Sequence, residues 1–171
     1  MKYPQNETMR KSGKFSAETN VDSPKWLSED VNIIDICETT ISSFSNQAIP
    51  SITSGNNIVS ILLTDDKKMS GLNKLYRNKA GPTNVLSFTN ENKHSNSKNI
   101  ILGDIALSFT TVLKESTQSK ISFINHVKHL LIHGCLHLIG FDHETAIEAQ
   151  EMEVLEVNIL RKLGVPNPYN V

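Results

Sequence analysis

The sequence predicts an α+β domain, a small mixed β-sheet covered by helices, with a metal-site helix near the C-terminus. Three observations carry this. Segments of helical and strand-like patterning follow one another as helix, strand, helix, strand, strand, then helices, which is not the regular alternation of a βαβ fold. A length of 171 residues is that of one domain with room for a tail. Three of the six histidines crowd into one stretch near the C-terminus, on what reads as the strongest helix.

Residues 1–25 are polar and aperiodic, and read as a flexible tail that holds at most a short strand near Phe15 and Ala17. The domain proper is expected over residues 26–171. A first helix is predicted from Trp26, after the start signal Ser23-Pro24, because Leu27, Val31, Ile34, Cys37, Ile41 and Phe44 step by three or four. Residues 46–57 read as a loop, and the β-branched run 58–63 as a strand. Asp65 and Asp66 open a second helix, holding Met69, Leu72, Leu75 and Tyr76, with acidic side chains at the positive end of its dipole. A loop with Gly81 and Pro82 leads to a strand over 85–88. A polar connection over 90–99 leads to a strand over 100–109, interrupted at Gly103. A short helix over 110–118 follows. Two strong helices complete the chain, over 122–139, stopped by Gly140, and over 144–163, stopped by Gly164 and Pro166.

Composition excludes several classes. Two cysteines, Cys37 and Cys135, are too few for a disulfide scaffold and point to a reducing cytoplasm. No apolar run reaches the ~18 residues that span a bilayer, so no membrane partner is expected. The N-terminal stretch lacks the apolar core of a secretory signal. The net charge of −1 is not that of a bulk polycation, yet residues 65–84 carry five basic and two acidic side chains, a local +3 suited to a polyanion beside a reactive site.

The chemistry concentrates in HGCLHLIGFDH, residues 133–143. At about 100° per residue, positions four apart lie within about 40° on a helix face, so His133 and His137 can hold one ion. Gly140 breaks the helix where the chain must turn for His143 to come back towards the same ion. Three neutral imidazoles with one open position mark a catalytic zinc site, one Zn2+ per chain, rather than a closed structural site. Histidine favours zinc over magnesium or calcium. Cys135 lies about 200° around the helix from His133 and is a poor fourth ligand. The remaining histidines, His94, His126 and His129, read as ordinary polar residues, although His129 sits one turn before His133 and extends the row. The spacing is also that of metzincin proteases, but their general base is a Glu directly after the first His, where this chain has Gly134.

HGCLHLIGFDH resembles the signature of the YbeY family of bacterial endoribonucleases. LNKLYRNKAGPTNVLSF at 72–88 is similar to that family's Leu-Asn, Tyr-Arg and Thr-Asn-Val-Leu-Ser-Phe block, LGDIALS at 102–108 to its Leu-Gly-Asp-Ile strand, and EAQEMEVLEVNIL at 148–160 to its C-terminal helix. The resemblance runs over roughly 26–170. Cys135 stands where Leu or Ser is usual and Phe141 where Tyr is usual, and the segment before Trp26 lacks the clearly apolar first strand of the family.

The resemblance implies a zincin-like fold and a metal-dependent nuclease of single-stranded RNA, acting on the 3′ end of small-subunit (16S) ribosomal RNA and in ribosome quality control. Its partners would be the rRNA precursor and the small subunit or its assembly factors, with no DNA substrate. Arg77, in the Tyr-Arg position, is the expected phosphate clamp, because a guanidinium matches phosphate bidentately. Asn84 and Ser87 are further candidate donors to substrate, with a turn cap as the other use of Asn84. Asp142 and Asp104 are the carboxylates considered for base catalysis, Asp104 leaning to a supporting role. Aromatic stacking candidates are Tyr76, Phe88 and Phe141. Two other readings stand beside this one: a metal-dependent protease or amidohydrolase, and a non-enzymatic ribosome-assembly factor with a structural zinc.

Overall fold

The computed structural model describes residues 13–27, 30–45, 47, 49, 55–92 and 98–170. Its elements are β1 (Lys14–Val21), a single 3-10 turn (Pro24–Trp26), α1 (Ile33–Ser42), β2 (Asn56–Thr64), α2 (Asp66–Arg77), β3 (Val85–Thr89), β4 (Asn99–Ser108), α3 (Phe109–Gln118), α4 (Phe123–Leu138) and α5 (Ala146–Lys162). The sheet has the order β1-β2-β4-β3; β1, β2 and β4 run parallel and β3 antiparallel.

The expected flexible tail over 1–25 is corrected from Lys14 onward; residues 1–12 lie outside the described residues. Every residue of β1 is in register with β2, from Lys14 opposite Asn56 to Val21 opposite Leu63. Strand alternation hides in the polar composition: Phe15, Ala17, Thr19 and Val21 share the core-facing side, and Phe15 is 1% exposed against Phe44. The outer edge of β1 is covered by α1, where Ser45 Oγ just past the helix accepts from Phe15 N at 2.8 Å and Glu38 Oε2 from Ala17 N at 2.6 Å.

The first helix starts at Ile33, seven residues after Trp26. Trp26 sits in the 3-10 turn, its indole Nε1–H donating to Thr64 O at 2.8 Å and its ring packed on Phe109 and Phe123. Asn32 caps the true start by accepting from Asp35 N. Leu27, counted in the predicted stripe, is 62% exposed.

The main core lies between one face of the sheet (Val59, Ile61, Leu63, Ile105, Leu107) and α1 and α4 (Cys37, Ile41, Leu131, Ile132, Cys135, Leu136). Helices α3 and α5 pack against α4. Helix α2 lies on the opposite face, where Met69 and Leu72 cover Leu62, Leu86, Phe88 and Ala106. The interruption expected at Gly103 is a bulge: the β2–β4 register shifts there, Gly103 has φ +147°, and a Cβ at 103 would overlap the Phe88 carbonyl. Among the described residues no helix is long and apolar enough to cross a membrane.

Candidate metal centre

Helix α4 carries His133 and His137 one turn apart and ends in a Schellman turn. Phe141 N donates to Leu136 O at 3.0 Å and Gly140 N to His137 O at 3.0 Å, with Gly140 at φ +101°. A Cβ at 140 would meet nothing within 4 Å, so the glycine is there for its backbone angle alone. The turn sends the chain back over the helix end. Asp142 Oδ1 accepts from His143 N at 2.8 Å, and the His143 ring comes to 5.0 Å from His137 and 5.3 Å from His133, centroid to centroid. One nitrogen from each of the three imidazoles lies within 4.8 Å of the others.

The protons on these rings follow from their partners. His133 Nδ1–H donates to Glu156 Oε1 at 2.6 Å and His137 Nδ1–H to Phe141 O at 3.0 Å; both partners only accept. In the neutral rings that ligation requires, each Nε2 therefore carries a bare lone pair, and the two face one another at 3.1 Å. That contact is repulsive in the free rings. A tetrahedral ion with bonds of 2.0–2.1 Å has ligand-to-ligand edges of about 3.3–3.4 Å. The residues present therefore fit a divalent ion: lone pairs at nearly the right separation, a third imidazole within reach, and tautomers fixed from behind. Burial first, then the neighbouring His133 and His143, hold the His137 pKa below its ordinary value, which favours the neutral form that ligation requires. Cys135 is buried in the core and its thiol pKa is pushed up by desolvation, so it offers neither a thiolate nor access to the ion.

Sequence reasoning missed what stands behind the ligands. Glu156 of α5 is fully buried. Burial alone would raise its pKa, but hydrogen bonds from His129, His133 and Tyr169 outweigh it and hold the carboxyl down at about 2. Its Oε2 accepts from His129 Nε2 at 3.1 Å and from the Tyr169 hydroxyl, which the chain after α5 folds back to deliver. His129 thus extends the histidine row through a shared carboxylate. The available signal was Glu156 at the spacing of the buried residues Met152, Ile159 and Leu160, a charge on the core stripe of a helix.

A cleft of about 640 Å³ opens in front of the imidazoles, and the structure brings most of the predicted residues to it: Arg77, Asn84, Ser87 and Asp142 all line it with His133, His137 and His143. Arg77 is the last residue of α2 and comes from the +3 segment. Ser87 belongs to β3, the edge strand beside the cleft. Asn84 directly precedes β3, and its side chain bonds to Val85 N and Glu115. Phe141 lines the cleft, whereas Tyr76 and Phe88 pack on each other at 4.8 Å on the α2 side. Asp104 is also on that other side, opposite Phe88 in register and lining a separate hollow with Glu18 and Ser60, so it supports no ligand. His94 lies outside the described residues. At Gly134 a Cβ would stand 2.9 Å from Ser87 Oγ and 3.0 Å from Ile105 Cδ1, so a glutamate, the base of a metzincin protease, has no room there.

The family described as Endoribonuclease YbeY matches residues 26–164. A protein of that name from Bartonella quintana (strain Toulouse) is 39% identical over 156 residues, covering 91% of this chain and 97% of the relative. Another from Magnetococcus marinus is 43% identical over 120 residues, covering 65% of this chain and 82% of its own length. The solution structure of TM1509 from Thermotoga maritima aligns over 88% of this chain and 91% of that one, with 17% identity and a TM-score of 0.46.

Proposed function

The chain belongs to the endoribonuclease YbeY family, and on that premise we propose that it is a zinc-dependent endoribonuclease of single-stranded RNA. In this reading it matures the 3′ end of 16S ribosomal RNA and serves ribosome quality control in the cytoplasm, with the small subunit or its assembly factors as partners. The observation that carries the hydrolytic part is the pair of bare Nε2 atoms 3.1 Å apart, with His143 beside them and an open cleft in front.

His133, His137 and His143 would hold one ion, and the chemistry it supplies when bound is polarisation of a phosphoryl oxygen and acidification of water. The remaining work falls to side chains of this protein. The Arg77 guanidinium binds the scissile phosphodiester and stabilises the charge that builds on its oxygens. Ser87 Oγ and Asn84 Nδ2 donate to non-bridging oxygens from the β3 side. Asp142 keeps Oδ1 on the His143 backbone, which leaves Oδ2 to take the proton of the attacking nucleophile. Phe141, over the helix end, supplies an apolar wall rather than a hydroxyl.

The test is cleavage of an unstructured RNA oligonucleotide by zinc-loaded wild type, chelator-stripped protein and His137→Ala, with an all-DNA oligonucleotide as control. Cleavage of RNA alone, lost on stripping, restored by zinc and absent in the variant, is the expected result. Full activity in the zinc-free protein would sink the proposal.

A further inference from the structure

Three side chains from separate elements meet on one oxygen away from the imidazoles. Glu115 Oε2, on α3, accepts from His126 Nε2 of α4 at 2.7 Å and from Asn84 Nδ2 at 3.0 Å. We propose that Glu115, held by His126, is a positioning residue that fixes the Asn84 amide so that one of its N–H groups faces the cleft as a donor to the RNA phosphodiester. This deepens the reading of the cleft given above and rests on it.

The geometry leaves the amide one orientation. Asn84 Oδ1 accepts from Val85 N at 2.6 Å, a group that only donates, while Nδ2 faces a carboxylate, which only accepts. A flipped amide would set nitrogen against N–H and oxygen against carboxylate, losing both bonds. The backbone beneath is pinned as well, because Asn84 O accepts from Ser108 N at 3.0 Å where β3 joins β4. Nδ2 has two hydrogens, and Glu115 uses one. The other belongs to a side chain that lines the same cleft as Arg77 and the three histidines.

Glu115 is in turn oriented from behind. Its side chain is 37% accessible, so it does not owe its place to burial, whereas that of His126 is 12% accessible. His126 Nδ1 is buried and has no partner among the described residues. A ring that keeps its proton on Nε2 leaves only a lone pair unpaired there; a proton on Nδ1 would bury an unpaired donor, which costs more. The ring is thereby set as a donor aimed at Glu115. A structural pin between α3, α4 and β3 would need the same bonds, so the test must separate positioning from mere support.

Glu115→Leu, Glu115→Gln, Asn84→Ala and the Glu115→Leu/Asn84→Ala double variant are compared in the zinc-loaded protein. Three quantities are read: RNA cleavage, affinity for a 2′-O-methyl RNA oligonucleotide, and the Asn84 side-chain amide signals by NMR. Glu115→Leu and Asn84→Ala should each lower kcat/KM and oligonucleotide affinity about tenfold, with zinc content unchanged. Glu115→Gln should stay within about threefold of wild type, because both donors reach a single oxygen that a glutamine retains. The double variant should be no worse than Asn84→Ala alone. In Glu115→Leu the Asn84 amide proton that bonded the carboxylate should move upfield, towards the shift of a solvent-exposed asparagine. Wild-type kinetics and amide signals in Glu115→Leu would overturn the proposal, as would losses that multiply in the double variant or a loss in Glu115→Gln as large as in Glu115→Leu. A wild type that neither binds nor cuts this RNA would overturn the reading of the cleft, and the amide signals would still decide whether Glu115 fixes Asn84.

Discussion

Replacing Glu156 by glutamine removes one charge from behind the metal ligands and leaves the shape nearly unchanged. In the wild type the carboxylate accepts from His133 Nδ1–H at 2.6 Å, and its second oxygen accepts from His129 and Tyr169. A glutamine keeps one oxygen for His133, but as a neutral acceptor. Hydrogen bonds to charged groups contribute about 1.5–3 kcal/mol and neutral ones about 0.5–1.5. His133 therefore loses about 1–1.5 kcal/mol of the bond that orients its ring and raises its basicity, which is about tenfold in zinc affinity. That is the lower end of the 10–100-fold seen when the partner of a ligating histidine is altered. The fold is a separate quantity: the glutamine nitrogen would face the His129 and Tyr169 donors, so the metal-free variant should melt lower than wild type. Competition with a chromophoric chelator at fixed pH measures the zinc affinity, and thermal melts of the stripped proteins measure the fold. Zinc binding within twofold of wild type, in a variant that still unfolds cooperatively, would refute the idea that Glu156 sets the ligand.

Three further changes have directions fixed by the structure. Arg77→Ala should lower turnover of RNA about 10–100-fold, the worth of a charge-assisted phosphate contact, while zinc content measured by atomic absorption stays at wild-type level. Gly140→Ala meets no steric obstacle but forces φ +101° on an alanine, so the melt should report a loss of about 1–2 kcal/mol, with weaker zinc binding because Phe141 O and His143 both hang on that turn. Asp66 accepts from Ser108 Oγ at 2.5 Å and from Thr111 N at 3.1 Å; burial works against these bonds, yet they hold its pKa below 3.8. Its folded value is the lowered one, so its contribution is present above that ordinary value and is lost as pH falls through the folded one. Wild type should therefore exceed Asp66→Asn in stability at neutral pH, with the gap closing in denaturant titrations carried below about pH 4.

What the sequence disclosed depended on how local the physics is. His133 and His137 are read from helical spacing, and His143 from the glycine that bends the chain back, because all three sit within eleven residues. Strand β1 was hidden, because half of its residues face out and its pairing partner begins over forty positions later; only Phe15 and Ala17 hinted at it. The periodicity from Leu27 to Ile34 is accidental: Trp26 is tied to Thr64 by its indole, and the helix waits for the cap at Asn32. Asp104 was drawn towards the site by its neighbours in the chain, yet strand alternation puts it on the far face. Glu156, Tyr169 and Glu115 act through contacts between elements distant in sequence. A charge at core spacing in α5 was the only trace any of them left.

X-ray absorption at the zinc edge of the loaded protein tests the metal site most directly. Three imidazole nitrogens at about 2.0–2.1 Å and one exchangeable oxygen are predicted. A sulfur shell near 2.3 Å, or four protein ligands that persist in His137→Ala, would contradict it.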